Sequence, residues 1–395
     1  VLVGMLLAGA VLGSGANKSE GQEPYRHLQV FTEVLSKIKS DYVEEPNLPS
    51  VTLGAINGLL ESVDPYSSYL NSEQYKEFQE KSKNPQADVG LLVARRYGYV
   101  GVMSVLPNTA AAKAKLATGD IIDSINNVST RDMPLAYAEL LLQGKPGTAI
   151  ELTVLRARKP EPETISLARQ ARQMPKLRQE IVDGSIGYVA PYVLVEGKVK
   201  EIQQAVRDLE KKGANRSVLD LRNVALGDTS QGIPLADLFM SKGKITHTEG
   251  QRSPKEEFTA TAQPGDLSQP LVVLVNRGTA GAAEVAAAAL KASGRAKVFG
   301  ERSYGFAGIR REIQMDDGGA VLISVAKYYA PDGKAIPDTG VIPDEAVSPY
   351  PQLAASEEEG ELAEPPALGP DDPLKPVEDL QLKKALEVIA GSGAA

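Results

Sequence analysis

Between Ile186 and Phe299 strand-like apolar runs alternate with helical stretches, and this alternation constrains the fold more than any other feature of the chain. Ile186–Ala190, Ser217–Leu221, Leu271–Val275 and Ala296–Phe299 read as strands. Lys198–Lys212, Leu235–Phe239 and Ala282–Ala292 read as helices. Such alternation points to an α/β core, expected at 180–349, whose sheet is largely parallel and flanked by helices. At 395 residues the chain has room for two or three domains, each with its own core.

The remainder divides by pattern. Residues 27–80 read as an N-terminal helical region. Val30, Phe31, Val34, Leu35 and Ile38 recur at the spacing of one buried helix face. A second helix is expected over Val51–Leu60, followed by a turn at Asp64-Pro65. Residues 88–157 form a small β-rich module. Its expected parts are strands at 90–93, 100–105, 121–125 and 149–155 and helices at 110–116 and 134–142. Lys159–Glu163 has the composition of an exposed linker. Residues 350–376 are acidic and rich in proline, as a poorly ordered linker would be. Residues 377–395 carry an amphipathic helix with Leu380, Leu382, Leu386 and Ile389 apolar, expected to dock on the body. The fold class expected is therefore α+β and multidomain.

Val1–Ala16 holds no charge and is short for a membrane helix, which needs roughly 20 apolar residues. It suits the apolar part of a secretory signal or a short membrane anchor, so export to a periplasm or cell envelope is expected. A net charge of −8 and the lack of a basic stripe exclude nucleic acid as the natural partner. With no cysteine there is no disulfide, thiolate metal site or cysteine nucleophile. His27 and His247, the only histidines, are too few for a histidine zinc site, and no metal or cofactor is expected.

Two runs bear on chemistry. One is Val275-Asn276-Arg277-Gly278-Thr279-Ala280-Gly281-Ala282-Ala283-Glu284, and the other is Gly300-Glu301-Arg302-Ser303-Tyr304-Gly305-Phe306-Ala307-Gly308. With Ala55-Ile56-Asn57-Gly58-Leu59-Leu60, Asp64-Pro65 and Gly340-Val341-Ile342-Pro343-Asp344, they closely resemble the C-terminal processing (tail-specific) serine proteases. That resemblance covers about Val30 to Pro349. It implies a PDZ domain at 88–157 that takes peptide or protein C-termini by strand addition, with Gly90, Leu91 and Leu92 at the carboxylate loop. It also implies a homodimer built through the helical region.

By the same resemblance, the nucleophile position falls on Gly281 and the general-base position on Phe306. The oxyanion region falls on Leu226, Gly227 and Ala282, with Glu284 in support. Tyr66 stands where the family usually has histidine, and Arg310 where it commonly has glutamine. A serine–lysine peptidase needs a hydroxyl and a neutral amine, and neither residue 281 nor residue 306 supplies one. The expectation is therefore a chain that is not an enzyme. It would bind peptides or proteins outside the cytoplasm as scaffold, decoy or partner of an active relative. The alternative is an active serine-type peptidase with a displaced nucleophile, and Thr279 and Ser303 are the nearest hydroxyls in sequence. Thr279 is expected to cap the helix that follows.

Overall fold

The computed structural model describes residues 23–83, 87–131, 133–156, 161–263, 265–348 and 379–391. The signal or anchor expected at 1–16 and the acidic linker at 350–376 lie outside the described residues. Contacts divide the chain into two units, Val1–Ile56 and Asn57–Ala395. The first holds α1 (Glu23–Asp41) and most of α2 (Leu48–Glu61). The helical periodicity produced helices, but the face expected to be buried is not. Val30, Phe31 and Val34 of α1 are exposed, and Leu35 and Ile38 only half-buried. Amphipathic spacing specifies an apolar stripe without saying what covers it. No helix among the described residues is long and apolar enough to cross a membrane.

The second unit opens with β1 (Ser68–Leu70) and α3 (Ser72–Lys83). A β-rich domain follows: β2 (Leu91–Arg96), β3 (Tyr99–Val105), α4 (Ala110–Lys113), β4 (Ile121–Ile125), β5 (Val128–Ser129), α5 (Leu135–Leu142), β6 (Ala149–Leu155) and β7 (Glu163–Ala168). Its sheet runs β2-β3-β4-β6-β7, with β5 on β4, so β2 is an edge. Val93, Val102, Ile122, Ile125, Leu152 and Val154 fill its core. The sheet extends beyond residue 157, because β7 pairs antiparallel with β6 along its length. Residues 159–160 of the run read as an interdomain linker lie outside the described residues, and the exposed Glu161 and Pro162 lead directly into β7 of this domain. Pro and Glu content does not distinguish a domain boundary from a connection within a domain.

The α/β region contributes β8 (Arg178–Val182), β9 (Ile186–Ala190), β10 (Val193–Leu194), α6 (Lys198–Lys211), β11 (Arg216–Asp220), β12 (Leu226–Gly227) and α7 (Gly232–Asp237). It continues with β13 (Lys244–Gly250), β14 (Ser253–Thr259), β15 (Leu271–Val275), α8 (Ala282–Ala292), β16 (Ala296–Gly300), β17 (Gly308–Gln314), β18 (Ala320–Tyr329), α9 (Ile336–Thr339), β19 (Glu345–Ala346) and α10 (Leu380–Gly391). One sheet has the order β19-β16-β15-β11-β9-β8, parallel except for β8 on β9. A second, β1-β18-β13-β14 with β17 on β18, is antiparallel throughout. Across the core the sheets are therefore mixed, and "largely parallel" describes one of them only. The second sheet was missed because its strands come from distant parts of the chain and show no alternation with helices.

The parallel sheet is buried on both faces, so its strands are unbroken apolar runs rather than alternating ones. Val273, Val275, Leu219 and Val298 face a core shared with α6, α7 and α8. Val272, Leu274, Val218 and Phe299 face the other way, where Ala385 and Ile389 of α10 cover them. Arg222 ties this cover down. Its guanidinium bonds Asp220 at the end of β11, Asp379 just before α10, and Gln381 within it. Ile389 is 1% exposed. Ile389→Ala is expected to lower the unfolding free energy by about 2–4 kcal/mol through lost burial and a residual cavity, measured by urea denaturation.

Candidate functional site

Gly281 caps the N-terminus of α8 with φ +61° and ψ −120°. That backbone is awkward for any residue with a side chain and free for glycine. A Cβ built there would meet Thr229 Oγ1 at 3.4 Å and the Phe306 carbonyl at 3.6 Å. The glycine therefore lies beside both a hydroxyl and the loop expected to carry the base.

Beneath it is Glu284, on the first turn of α8 and fully buried. Its Oε1 accepts from the Ser303 hydroxyl and from Gly305 N at 2.5 Å. Its Oε2 accepts from Phe306 N at 2.7 Å and Gly281 N at 3.1 Å. Burial pushes this carboxyl up from 4.5 to about 7, against the pull of its four donors. Ser303 Oγ in turn accepts from Val341 N at 2.6 Å.

Both hydroxyls singled out in the sequence are committed to structure. Ser303 is buried between Glu284 and Val341. Thr279, equally buried, donates to Leu221 O at 2.8 Å and accepts from Asn276 N at 3.0 Å. It does not cap α8 as expected. It fastens the turn to the end of β11, and the cap position falls to Gly281 two residues later. Thr229, which the sequence reading missed, is half-buried in a short 3-10 turn directly after Leu226-Gly227-Asp228. Only the tertiary approach to Gly281 marks it, since Thr229 and Gly281 are far apart in the chain.

Leu226 and Gly227 form β12, paired in parallel with Val193–Leu194. A Cβ on Gly227 would meet Leu194 O at 2.1 Å, so that strand contact requires glycine. Phe306 is half-buried among Leu92, Ala94 and Met103 of the β-rich domain and Ala225, Ala280 and Tyr304 of the core. Tyr66 meets its ring edge-on at 4.4 Å and donates to Gly305 O at 2.7 Å. Burial, with Tyr304 and Glu284 nearby, raises the Tyr66 phenol above its ordinary range. The Arg310 guanidinium lies 5.4 Å from the Phe306 ring centre, a cation over an aromatic face.

In the β-rich domain, Gly90 has φ +82°, and its N–H donates to Asp88 Oδ1 at 2.8 Å. Arg172 holds the other oxygen of Asp88. Leu91 packs into the domain core, while Leu92 points at the Phe306 cluster. The three residues expected at the carboxylate loop are thus contiguous at the free edge of β2.

Known proteins agree with this architecture. Peptidase family S41 matches residues 185–347, and a PDZ domain matches residues 101–156. The carboxy-terminal-processing protease of Bartonella bacilliformis is 30% identical, covering 96% of this chain and 92% of its own. The chain belongs to the carboxy-terminal processing protease family. The carboxy-terminal processing protease CtpA of Bacillus subtilis is 34% identical over 80% of this chain and 69% of its own. In structure, the photosystem II D1 C-terminal processing protease superposes with a TM-score of 0.68 at 25% identity, covering 85% of this chain and 98% of that one.

Membership in the carboxy-terminal processing protease family corrects one expectation. A chain that is not an enzyme was inferred from two residues, Gly281 and Phe306. Relatives 30–34% identical over most of the chain are named as proteases. The inference to a non-enzyme does not stand against them, and the scaffold, decoy and partner roles lose the premise they rested on.

The raised Glu284 carboxyl has a measurable consequence. Because its folded value lies above its unfolded one, the group's stabilising contribution is complete below about 4.5 and lost as pH rises through about 7. From pH 5 to pH 8 the wild type is expected to lose about 2–3 kcal/mol more than Glu284→Gln does. Chemical denaturation of both proteins across that range checks it.

Proposed function

We propose that this protein is a carboxy-terminal processing peptidase that engages the free C-terminus of its substrate through the PDZ domain and cleaves with a displaced hydroxyl nucleophile. The observation that carries this reading is the position of Thr229 Oγ1, 3.4 Å from where a Cβ on Gly281 would stand. Family membership supports the activity, and the PDZ domain supports the recognition of C-termini. In this reading Thr229 attacks the scissile carbonyl. Its proton passes to water at this turn, where Asp228 is exposed and its Oδ1 accepts from Ser230 N at 2.8 Å. The N–H groups of Gly227 and Ala282 receive the developing oxyanion; that of Ala282 lies on the first turn of α8, where no intrahelical acceptor exists. The substrate carboxylate replaces Asp88 at the Gly90 N–H, and the peptide adds to the β2 edge.

A peptide with an apolar, free C-terminal residue tests both parts. The wild type is expected to cleave it, and amidating its terminus to raise KM about tenfold. Thr229→Ala is expected to lower kcat/KM by at least about a hundredfold, with Thr229→Ser retaining activity. No cleavage of this peptide or of unfolded casein by the wild type would overturn the reading. So would a Thr229→Ala protein as active as the wild type. Activity that appears only on combining Gly281→Ser with Phe306→Lys would return the chemistry to those two positions.

The exposed stripe of α1 supports a homodimer. Leu28, Phe31 and Val34 follow one another at helical spacing and are open to solvent, as one half of a helix pair would be. Sedimentation velocity at about 50 μM, well above a micromolar dissociation constant, is expected to give a dimer for the wild type and a monomer for Phe31→Asp. A monomeric wild type would remove this assignment.

A further inference from the structure

Outside the Gly281 site, a cavity of ≈ 920 Å³ opens at the carboxyl ends of the parallel strands. β11 ends at its Asp220, β15 leads into its Asn276, and β16 ends at its Gly300. Crevices at the carboxyl edge of parallel sheets are where α/β proteins hold ligands, and this volume suits a metabolite-sized molecule. The PDZ domain supplies one wall, through Arg96, Thr118 and Gly119, and Ala346, Val347 and Ser348 with Gln381 of α10 supply another.

The charge of the lining is lopsided. Five arginines, at 96, 178, 222, 277 and 302, face two carboxylates, Asp220 and Glu301. Both carboxylates are engaged, Asp220 by Arg222 and the Tyr188 hydroxyl, and Glu301 by Arg277. Arg178 is paired with Glu180. Arg96 and Arg302 have no carboxylate partner among the described residues. Arg96 lies over the Tyr97 ring at 5.3 Å, and Arg302 reaches only the Asp338 carbonyl at 3.4 Å. They approach the cavity from different domains. Guanidinium groups are planar forks that pair with phosphate and carboxylate through two parallel hydrogen bonds, and they stay charged at any physiological pH.

We propose that this cavity is a binding site for a small multivalent oxyanion, clamped between Arg96 of the PDZ domain and Arg302 of the core. The ligand is a molecule of metabolite size bearing a phosphate or several carboxylates. One side of the site is Asn276-Arg277, whose turn continues into Gly281, and another is Arg302, in the loop that reaches Phe306. An anion here bridges the two domains, between Arg96 and Arg302.

Isothermal titration of the full chain at low ionic strength tests the assignment, with AMP as the phosphate source, citrate as the polycarboxylate source and adenosine as the uncharged control. AMP or citrate is expected to saturate below about 1 mM, and whichever binds more tightly identifies the oxyanion. Arg96→Ala and Arg302→Ala are each expected to weaken it at least about fivefold, and Arg302→Lys less, because the charge stays and the fork is lost. Arg302 is exposed and Arg96 only half-buried, so both alanine variants are expected to melt with the wild type. Saturation by neither anion at about 10 mM overturns the proposal, as does adenosine binding as tightly as AMP. Affinities unchanged in the Arg96→Ala/Arg302→Ala double variant overturn it too. Tetraglutamate binding more tightly than both small anions would make the cavity a peptide site instead.

Discussion

The site is organised around a carboxylate that water does not reach. Glu284 sits on the first turn of a helix whose residues from Ala282 to Leu290 are all buried, and it gathers donors from its own cap, from the 303–306 loop and, through Ser303, from Val341. A buried carboxyl without partners would be costly. With four donors it becomes the point at which separate segments agree on one geometry. Phe306 and Gly281 are held in place by their own N–H groups on its two oxygens, not by side chains. The frame around either position is therefore built from the backbone, although Gly281 and Phe306 supply no hydroxyl and no amine.

The PDZ domain is seated on that frame rather than tethered to it. Tyr304 donates to Arg95 O on β2, and Ser104 of β3 donates to Asn223 O at the end of the stretch leading to Leu226. Residues of β2 divide by pleat, with Leu91 and Val93 filling the domain's own core and Leu92 and Ala94 packing on Phe306 and its neighbours. One strand thus serves the peptide edge, the domain core and the contact with the site. Movement of β2 on binding a peptide would be felt at Phe306 without any longer route.

The opposite face of the parallel sheet is closed by a segment from the far end of the chain. Arg222 follows β11 directly and meets both Asp220 and Asp379, so the same residue orders the loop toward Leu226 and fixes the entry to α10. Two-sided burial of β15 depends on that closure, because Val272 and Leu274 would otherwise face water.

Much of this was legible in the chain. The unbroken apolar run Leu271–Val275 requires cover on both faces, and the spacing of Leu382, Leu386 and Ile389 announces a helix with one face to bury. Gly281 and Phe306 are read directly from the two runs, as is Glu284. Local patterns carry such information because period and turn chemistry act over a few residues. The partners of those patterns were not legible. Nothing local couples Thr229 to Gly281, sends Thr279 to Leu221 instead of a helix cap, assembles β1, β13 and β18 into a second sheet, or leaves the stripe of α1 uncovered. Five arginines scattered from 96 to 302 line one cavity only when the chain folds. Sequence by itself determined the helices and the strands of the parallel sheet and which faces are apolar, since those follow from neighbouring side chains. Tertiary structure alone decided which faces meet and which hydroxyl stands beside the glycine, because contacts between distant residues are set by the packing of whole elements.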